Sequence, residues 1–340
     1  MSRAAQSGKY DAILIVSFGG PEKKADVIPF LENTVRGRIV PRERILEVAR
    51  HYDHLGGRSP INGQNRELVR KLQEELQSKG PTLPVHWGNR NWHPMLADTL
   101  RTMKADGICH ALAFVTSAYS SYSGCRQYLE NIEQARAKVG ERAPVIDKLR
   151  VFYNHPRFIQ VWLEHIREAL ARFTPEEKEN VQIVYTAHSI PLSMASGCAY
   201  AQQIEETCRL ISECLDMNHG PLVFQSRSGS PAQPWLGPDI QDYLRGFADR
   251  GKNILIAPVG FISDHMEVVY DLDIESRHLC EELGVKMVRA STPGAHPEFI
   301  SMIRELILER NEGAEKRALG KFGPNHDICA GDCCLPQPRP

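Results

Sequence analysis

The sequence predicts an α/β protein made of two Rossmann-like, doubly wound domains with parallel sheets and a cleft between them. Short apolar runs rich in β-branched residues alternate with longer amphipathic stretches along the chain, a pattern typical of parallel strands joined by helices. The chain has 340 residues, more than one simple hydrophobic core usually organises, so two domains are expected. The alternation occurs in both halves, although no close sequence repeat relates them.

The first half begins with a β-branched run that ends in a glycine–proline turn, which favours a strand followed by a loop. Its longest helical segment carries leucines at the three- and four-residue spacing of one helix face. In chain order, this half is predicted to contain strands at 12–17, 85–88 and 111–115 and helices at 24–31, 42–52, 64–78, 95–106 and 123–137.

The second half repeats the same alternation up to a last helix, after which glycine, proline and charged residues dominate. Its predicted strands are 149–153, 181–186, 222–225, 253–259 and 285–288, and its predicted helices are 158–172, 200–215, 239–249, 271–283 and 297–310. The predicted domains are 8–120 with 295–312, then 121–294, followed by a cysteine-rich tail at 313–340. This tail is expected to be loose unless something clamps it.

Composition excludes several classes of function. The formal net charge is -1, from 41 basic and 42 acidic residues, which argues against a general nucleic-acid binder. The longest apolar runs are too short to cross a bilayer, so no stable membrane insertion is expected. The N-terminus lacks the apolar stretch of a signal peptide, and we expect a cytoplasmic protein. An odd number of cysteines, nine, speaks against a disulfide framework.

Two apolar runs lead directly into ionisable residues, His188 and Glu267. Strand ends followed by loops are where open α/β sheets place their chemistry. Asp271 and Glu275 follow Glu267 at four-residue spacing, so on a helix the three carboxylates share one face. Such a row suits a path or docking site for a cation. The alternatives from the residues alone are a histidine satisfied by hydrogen bonds and a solvated helix face.

Six motifs together resemble the ferrochelatases, which insert ferrous iron into a porphyrin to make haem. They occur in the family's order from near residue 10 to near residue 275, so the resemblance covers almost the whole chain. The motifs are Ser17-Phe18-Gly19-Gly20-Pro21, Gly56-Gly57-Arg58-Ser59-Pro60, Ala187-His188-Ser189-Ile190-Pro191, Phe224-Gln225-Ser226, Pro234-Trp235-Leu236-Gly237-Pro238 and Ser263-Asp264-His265-Met266-Glu267. The resemblance implies a chelatase-like fold, a lyase activity, and porphyrin and ferrous iron as binding partners.

The chain looks most similar to the Gram-positive, actinobacterial branch, whose substrate is coproporphyrin III. The segment 21–50 is polar, where membrane-tied protoporphyrin enzymes carry a more apolar lip, and the segment 117–128 also resembles this branch. Coproporphyrin has four propionates, and a polar mouth suits it. The alternatives are a protoporphyrin IX ferrochelatase, a cobalt chelatase and a non-catalytic tetrapyrrole or metal carrier. The oligomeric state is not indicated.

The resemblance implies a role for individual residues. His188 would bind ferrous iron or accept a pyrrole proton, because a neutral imidazole can do both. Glu267 would face it as a second ligand or proton acceptor, and Asp271 and Glu275 would pass iron or protons along the helix. Asp264 and His265 would orient Glu267 or the helix start. Phe18 would pack against the macrocycle. The propionates would be held by His51, Tyr52, Ser59 and Tyr128. The family more often has arginine at the position of His51.

Some members of the family carry a 2Fe–2S cluster, and four cysteines match its ligand positions. Cys125 would be the internal ligand, and Cys329, Cys333 and Cys334 would be the C-terminal ones. Four thiolates are the usual ligand count for such a cluster, which would fasten the tail to the body. The alternatives are zinc bound by the same four residues and a disordered tail with free thiols.

Overall fold

Two parallel sheets form the frame of the computed structural model, which describes residues 10–37, 40–228, 233–247 and 253–336. Within this part of the chain each sheet has four strands. The first contains β1 (Ala12–Ser17), β2 (Val85–Asn89), β3 (His110–Val115) and β4 (Val145–Lys148), and the second contains β5 (Val181–His188), β6 (Leu222–Gln225), β7 (Asn253–Ala257) and β8 (Met287–Arg289). The strand orders are β2-β1-β3-β4 and β6-β5-β7-β8. The predicted α/β class with two parallel sheets is confirmed.

Helices cover both sheets, as expected for parallel strands that need crossover connections. They are α1 (Val27–Thr34), α2 (Arg42–Asp53), α3 (Ile61–Lys79), α4 (Leu96–Ala105), α5 (Gln127–Val139), α6 (Pro156–Leu170), α7 (Pro175–Lys178), α8 (Leu192–Ala195), α9 (Tyr200–Cys214), α10 (Ile240–Arg245), α11 (Met266–Val268), α12 (Arg277–Glu282) and α13 (Pro297–Asn311). Two π-helical segments, Tyr122–Arg126 and Val269–Ser276, adjoin α5 and join α11 to α12. Each of the described helices is too short or too polar to cross a lipid bilayer.

Most predicted elements occur within a few residues of their predicted bounds, but the predicted strand at 149–153 is wrong. The strand lies just before it, as β4, and the following residues are buried without ladder pairing. An apolar buried segment has the same sequence pattern as a strand, which explains the error. β4 pairs with β3, so it belongs to the first sheet although the predicted boundary after residue 120 assigned it to the second half.

The other predicted domain boundaries stay predictions. Residues 8–9, 38–39, 248–249 and 337–340 belong to predicted segments and lie outside the described residues.

A continuous apolar core joins the two halves. It includes Ile13 of β1, Leu255 of β7 and Ile303 of α13, each with no exposed surface. Helix α13 packs against both α3 and α6, and its Phe299 ring lies 6.0 Å from Phe114 of β3 and 5.8 Å from Phe152. Because α13 returns to the first half after the second sheet is complete, the two halves are held in one arrangement.

The described part of the tail is clamped to the body by hydrogen bonds to its main-chain carbonyls. Arg126 donates to Gly331 and Cys333 over 2.8 and 3.0 Å. Asn154 donates to Leu319 and Gly323 over 3.1 and 2.8 Å. These contacts supply the clamp without which a tail of this composition is expected to fray.

One buried ion pair connects this clamp to α13. Removing the ion pair tests how much the stability of the fold depends on this contact. Arg150 and Glu309 form a two-point pair over 2.7 and 2.8 Å, and each side chain is 1% exposed. Arg150→Met leaves a buried carboxylate unpaired, so we expect a loss of about 3–5 kcal/mol in the free energy of unfolding. Chemical denaturation measures it.

The exposed pair Arg101–Asp98 provides the matched control, with side chains 54% and 57% exposed. Arg101→Met is expected to cost about 0–1 kcal/mol. Combining Arg150→Met with Glu309→Leu removes both charges and should recover most of the loss. Equal costs for the buried and exposed single variants would contradict the expectation.

Candidate functional site

Two ionisable side chains meet at the carboxyl edge of the second sheet. His188 is the last residue of β5, and Glu267 lies on α11, which follows the neighbouring strand β7. Their closest atoms, Nε2 of His188 and Oε2 of Glu267, are 3.6 Å apart, and the side chains are 30% and 36% exposed. The two groups therefore face each other beside an opening where a third atom can bind both.

The backbone around His188 sets its orientation. Its Nδ1 lies 2.5 Å from the carbonyl oxygen of Ser189. A carbonyl only accepts, so this contact assigns the proton to Nδ1 and leaves the Nε2 lone pair towards Glu267 in the neutral ring. Tyr200 donates to the His188 carbonyl over 2.9 Å. The loop after β7 lies against β5 at Gly260, where a Cβ would approach the Cα of Ala187 to 2.6 Å.

The loop before Glu267 is held from several directions. The ring Nδ1 of His265 accepts from the Glu267 amide over 3.2 Å and caps the helix. The carboxylate of Asp264 accepts from Arg289 over 3.1 Å and from Thr292 over 3.2 Å. The Asp264 amide donates to Gln64 of α3 over 2.9 Å, so the first half also supports this loop. Asp264 and His265 thus both hold the loop that leads into Glu267, and their predicted role in orienting Glu267 stays a prediction.

The other two carboxylates of the predicted row lie on a π-helical segment rather than a regular α-helix. Both Ser226 and Gln225 donate to Oδ2 of Asp271. Asp271 is close enough to Glu267 and Glu275 for both charges to affect it. The three carboxylates therefore lie near one another along this segment, and π-helical turns are frequent at functional sites. Sequence reasoning missed this geometry, because a four-residue spacing fits α- and π-helices alike.

Burial and mutual charge shift the pKa values of these groups in opposite directions. Burial opposes the protonation of His188, but the Glu267 carboxylate outweighs it and raises the pKa of His188. Burial likewise disfavours ionised Glu267, but the His188 imidazolium outweighs it and lowers the pKa of Glu267 to about 2. Burial raises the pKa of Asp271 to about 7, and it also raises the pKa of Glu275. Burial lowers the pKa of His265.

The α1–α2 region of the first half packs beside the pair. Tyr52 and Phe30 belong to one apolar cluster with Met266, the neighbour of Glu267. Burial and the Glu267 carboxylate raise the pKa of Tyr52 strongly, which places its phenol near the site. Phe18, 39% exposed at the end of β1, has its ring 6.1 Å from Phe30. An aromatic wall thus borders the opening beside Glu267.

The predicted propionate positions are more scattered. Ser59 and Tyr128 are buried, 3% and 5% exposed. Arg90, which the sequence analysis missed, lies over the Tyr128 ring at 4.4 Å and near the Phe18 ring at 5.7 Å. His51 stacks in parallel on Tyr270 of the π-helical segment, with ring centroids 4.0 Å apart. The structure brings His51 to the carboxylate row but does not group it with Ser59 and Tyr128.

All four predicted cluster cysteines line one pocket of about 440 Å³ beside the tail. Cys125 lies in the π-helical turn before α5, close enough to Cys329 for each thiol to shift the pKa of the other. The Sγ atoms of Cys333 and Cys334 are 3.6 Å apart. Lys148 of β4 is 8% exposed, donates to the Leu149 carbonyl over 2.9 Å, and is close enough to Cys125 and Cys329 for its charge to affect both thiols. Within the described residues it has no ion pair with a carboxylate.

The sequence profile of the ferrochelatase family matches residues 10–311. The chain belongs to the ferrochelatase family. A ferrochelatase of Rhodopirellula baltica is 53% identical over 333 residues, covering 97% of this chain and 95% of that protein. A coproporphyrin III ferrochelatase of Nocardia farcinica is 46% identical over 344 residues, covering 97% and 98%. The predicted membership is confirmed, and with it an enzyme of the metal-inserting lyase class.

Among solved structures, the sirohydrochlorin chelatase SirB of Bacillus subtilis subspecies spizizenii in complex with cobalt is similar in fold. The TM-score is 0.55 at 10% identity, covering 89% of this chain and 95% of that one. At this identity the likeness shows the fold alone. It supports the predicted chelatase-like arrangement of two parallel sheets in this ferrochelatase.

The mutual influence of His188 and Glu267 can be measured directly in the metal-free ferrochelatase. Glu267→Gln removes the carboxylate charge and leaves burial as the main influence, so the pKa of His188 should fall below its wild-type value. Titration of the imidazole signals by NMR gives the value. Glu275→Gln is the matched control, because Glu275 is not among the groups that shift His188. An unchanged His188 titration in Glu267→Gln would contradict this assignment.

The same pair predicts how stability depends on pH. A raised pKa of His188 contributes stability below about 6.5, and this contribution is lost as the pH rises through the folded-state pKa. The lowered pKa of Glu267 contributes stability above about 4.5, lost as the pH falls towards 2. The wild type should therefore exceed Glu267→Gln in thermal stability most clearly between pH 4.5 and 6.5.

Proposed function

We propose that this ferrochelatase inserts Fe²⁺ into coproporphyrin III, with His188 and Glu267 as the groups that meet the metal and the departing pyrrole protons. The observation that carries this proposal is the pair itself, an imidazole Nε2 and a carboxylate oxygen 3.6 Å apart at the open edge of the second sheet. Ligand atoms about 2.0–2.2 Å from one ion lie roughly 3.0–3.4 Å apart. A small inward movement of either side chain would let both hold one cation.

The donor types suit a metal that must leave the protein again. Imidazole and carboxylate ligands bind ferrous iron only moderately, whereas thiolates would retain a softer metal. Nδ1 of His188 is committed to the Ser189 carbonyl, so a cation that enters beside Glu267 displaces the proton from Nε2 and takes that lone pair. As iron passes to the porphyrin nitrogens, the same lone pair and the Glu267 carboxylate become available for protons. We assign both tasks to this pair in sequence, metal first and proton second.

Asp271 and Glu275 extend this site as a proton path. Burial raises the pKa of Asp271 to about 7, so it can gain and lose a proton near neutral pH. Its Oδ2 already accepts from Ser226 and Gln225, which leaves Oδ1 for a proton and makes metal ligation less favourable. Each insertion releases two pyrrole protons, and a row of carboxyl groups leads them away from Glu267.

The aromatic wall and nearby cations support the choice of substrate. Phe18, 39% exposed, offers flat apolar surface against which a macrocycle can pack, with Phe30 and Tyr52 buried behind it. Arg90 lies next to Phe18 and Tyr128 and can pair with a propionate. The Nocardia farcinica relative and a Streptomyces coelicolor relative, 45% identical over 365 residues and covering 100% of this chain and 97% of that protein, are coproporphyrin III ferrochelatases. The name of the more similar Rhodopirellula baltica relative, ferrochelatase, does not specify which porphyrin it uses.

We further propose that Cys125, Cys329, Cys333 and Cys334 hold a 2Fe–2S cluster. The donor set fits, because four thiols line one pocket and a buried ammonium, Lys148, is close enough to affect two of them electrostatically. Burying a cation without a carboxylate partner is costly, and a negatively charged thiolate cluster would supply the missing counter-charge. The cluster would add a redox-active group remote from His188. A cytoplasmic location remains part of this proposal.

Anaerobic metalation, followed optically, tests the proposed function. Wild type should metalate coproporphyrin III with Fe²⁺ faster than it metalates protoporphyrin IX, because the latter lacks two of the propionates. Glu267→Ala should lower the rate about 10²–10⁴-fold while leaving coproporphyrin binding, measured by spectral titration, close to wild type. The exposed Glu282→Ala on α12 is the matched control.

The outcomes separate the rival functions. Faster turnover of protoporphyrin IX would overturn the substrate choice but not the site. Porphyrin binding without insertion by wild type would indicate a carrier. Insertion at the wild-type rate by Glu267→Ala would remove Glu267 from the mechanism.

The counter-charge role of Lys148 gives a separate expectation. Lys148→Met keeps the length of the side chain but removes its charge, so the cluster should be held about 10- to 100-fold less tightly and its reduction potential should fall. Cluster loss to a chelator and a spectroelectrochemical titration measure the two effects. The control is Lys138→Met on α5, an exposed lysine that does not line the cysteine pocket. An unchanged potential and lifetime in Lys148→Met would show that the ammonium does not serve the cluster.

A further inference from the structure

The tail contains a histidine that neither the sequence analysis nor the proposed cluster uses. His326 lies with its Nε2 3.9 Å from the Sγ of Cys333. Its ligand atom and the Sγ atoms of Cys329 and Cys333 all lie within 4.8 Å of one another. A fourth donor is available, because the Sγ of Cys334 is 3.6 Å from that of Cys333.

These separations are close to those between ligand atoms on a single ion. Ligand atoms on one tetrahedral ion with N and S donors lie about 3.3–3.8 Å apart. The Cys333–Cys334 and Cys333–His326 distances of 3.6 and 3.9 Å are close to this value. Cys125 and Cys334 both lie outside the three-residue group of His326, Cys329 and Cys333, but the Sγ of Cys334 adjoins that of Cys333 within the tail.

We propose that His326, Cys329, Cys333 and Cys334 form a mononuclear site for a thiophilic divalent cation such as Zn²⁺. Three thiolates and one imidazole are a donor set that favours zinc with tetrahedral geometry. Binding releases the thiol protons, since only the deprotonated groups ligate. The cation and a 2Fe–2S cluster exclude each other, because they share three cysteines.

The arrangement of the ligands along the chain supports this site independently of the cluster. All four donors fall within the tail segment 326–334, and the His-x₂-Cys-x₃-Cys spacing is typical of compact structural metal sites. Closing so short a loop costs little conformational entropy. A cluster that uses Cys125, in contrast, must first bring the tail to the body. The mononuclear site can therefore form whether or not the cluster proposal is correct.

Lys148 and the tail clamp suit this occupant as well. A cation bound by three thiolates and one imidazole carries net negative charge, which the buried ammonium of Lys148 can offset at the Cys125 side of the pocket. The hydrogen bonds from Arg126 to the carbonyls of Gly331 and Cys333 fix the turn that presents the thiols. The body thus supports the site without supplying a ligand to it.

Titration of the full-length protein with Co²⁺, followed by displacement with Zn²⁺, tests the proposal. The protein is first freed of metal under anaerobic, reducing conditions. Co²⁺ should give the intense visible bands of a tetrahedral ion together with sulfur-to-cobalt charge-transfer absorption. The site of His188 and Glu267 contains no sulfur, so this absorption reports the tail alone.

Two variants should separate the mononuclear site from the cluster. His326→Ala should weaken Co²⁺ and Zn²⁺ binding about tenfold or more while still accepting a 2Fe–2S cluster on reconstitution with iron and sulfide. Cys125→Ser should retain the cobalt spectrum and lose the cluster. Circular dichroism and thermal unfolding of both variants verify that they fold.

Other results would overturn the inference. If Cys125→Ser abolishes the sulfur-to-cobalt absorption and His326→Ala leaves it unchanged, the ion is held by the four cysteines of the cluster set. If wild type shows no sulfur-to-cobalt absorption, the tail holds no mononuclear site. Failure of cluster reconstitution in every protein, with the cobalt results as expected, would reject the cluster alone.

Discussion

The parallel pairing of β5 with β7 is the constraint on which the site depends, because it carries His188 and the loop before Glu267 to the same edge of the second sheet. At Gly260 the loop lies so close to Ala187 that any side chain would force the backbones apart. The His188–Glu267 separation is therefore set by backbone packing rather than by attraction between the two groups. A geometry enforced in this way persists when no cation is bound, which suits a site that must take up a metal and release it again.

The same edge of the second sheet concentrates negative charge, and ion pairs with arginine reduce the electrostatic repulsion that results. Asp264 and Asp273 are both paired with Arg289, over 3.1 and 2.7 Å, and Asp273 is also paired with Arg277 over 3.5 Å, so two guanidinium groups neutralise these two acids behind the row. Glu267, Asp271 and Glu275 remain, and burial raises the pKa values of the last two. The negative charge that faces the opening therefore decreases along the row. Glu267 is ionised, and Asp271 and Glu275 beyond it can exchange protons. Such a gradient favours a cation beside Glu267 and proton transfer along the rest of the row.

Local patterns predicted the strands and helices well, because the residues that decide them are neighbours in sequence. The predicted strand at 149–153 is wrong because local patterns show only that a segment is buried. A buried segment without strand pairing has the same sequence pattern as a buried strand. Contacts between distant segments had no local signature, which is why Arg289, Arg90 and the stacking of His51 on Tyr270 were missed. The positions of His188 and Glu267 followed from strand ends, but their pairing and the grouping of Cys125 with the tail cysteines followed from resemblance to a family. His326 could have been found from its spacing to Cys329 and Cys333.

The two possible occupants of the cysteine pocket would have different mechanical consequences. The tail is clamped mainly through its own carbonyls, by Arg126 and Asn154, so its docking does not by itself require a metal. A ligand that binds only the folded state with the tail docked stabilises that state by linkage. A cluster with ligands on both the tail and the body would therefore add its binding free energy to docking. An ion held only by the segment 326–334 would stabilise that turn whether it is docked or free. Exchange between these occupants would therefore change how firmly the tail holds Arg126 and the π-helical turn that carries Cys125.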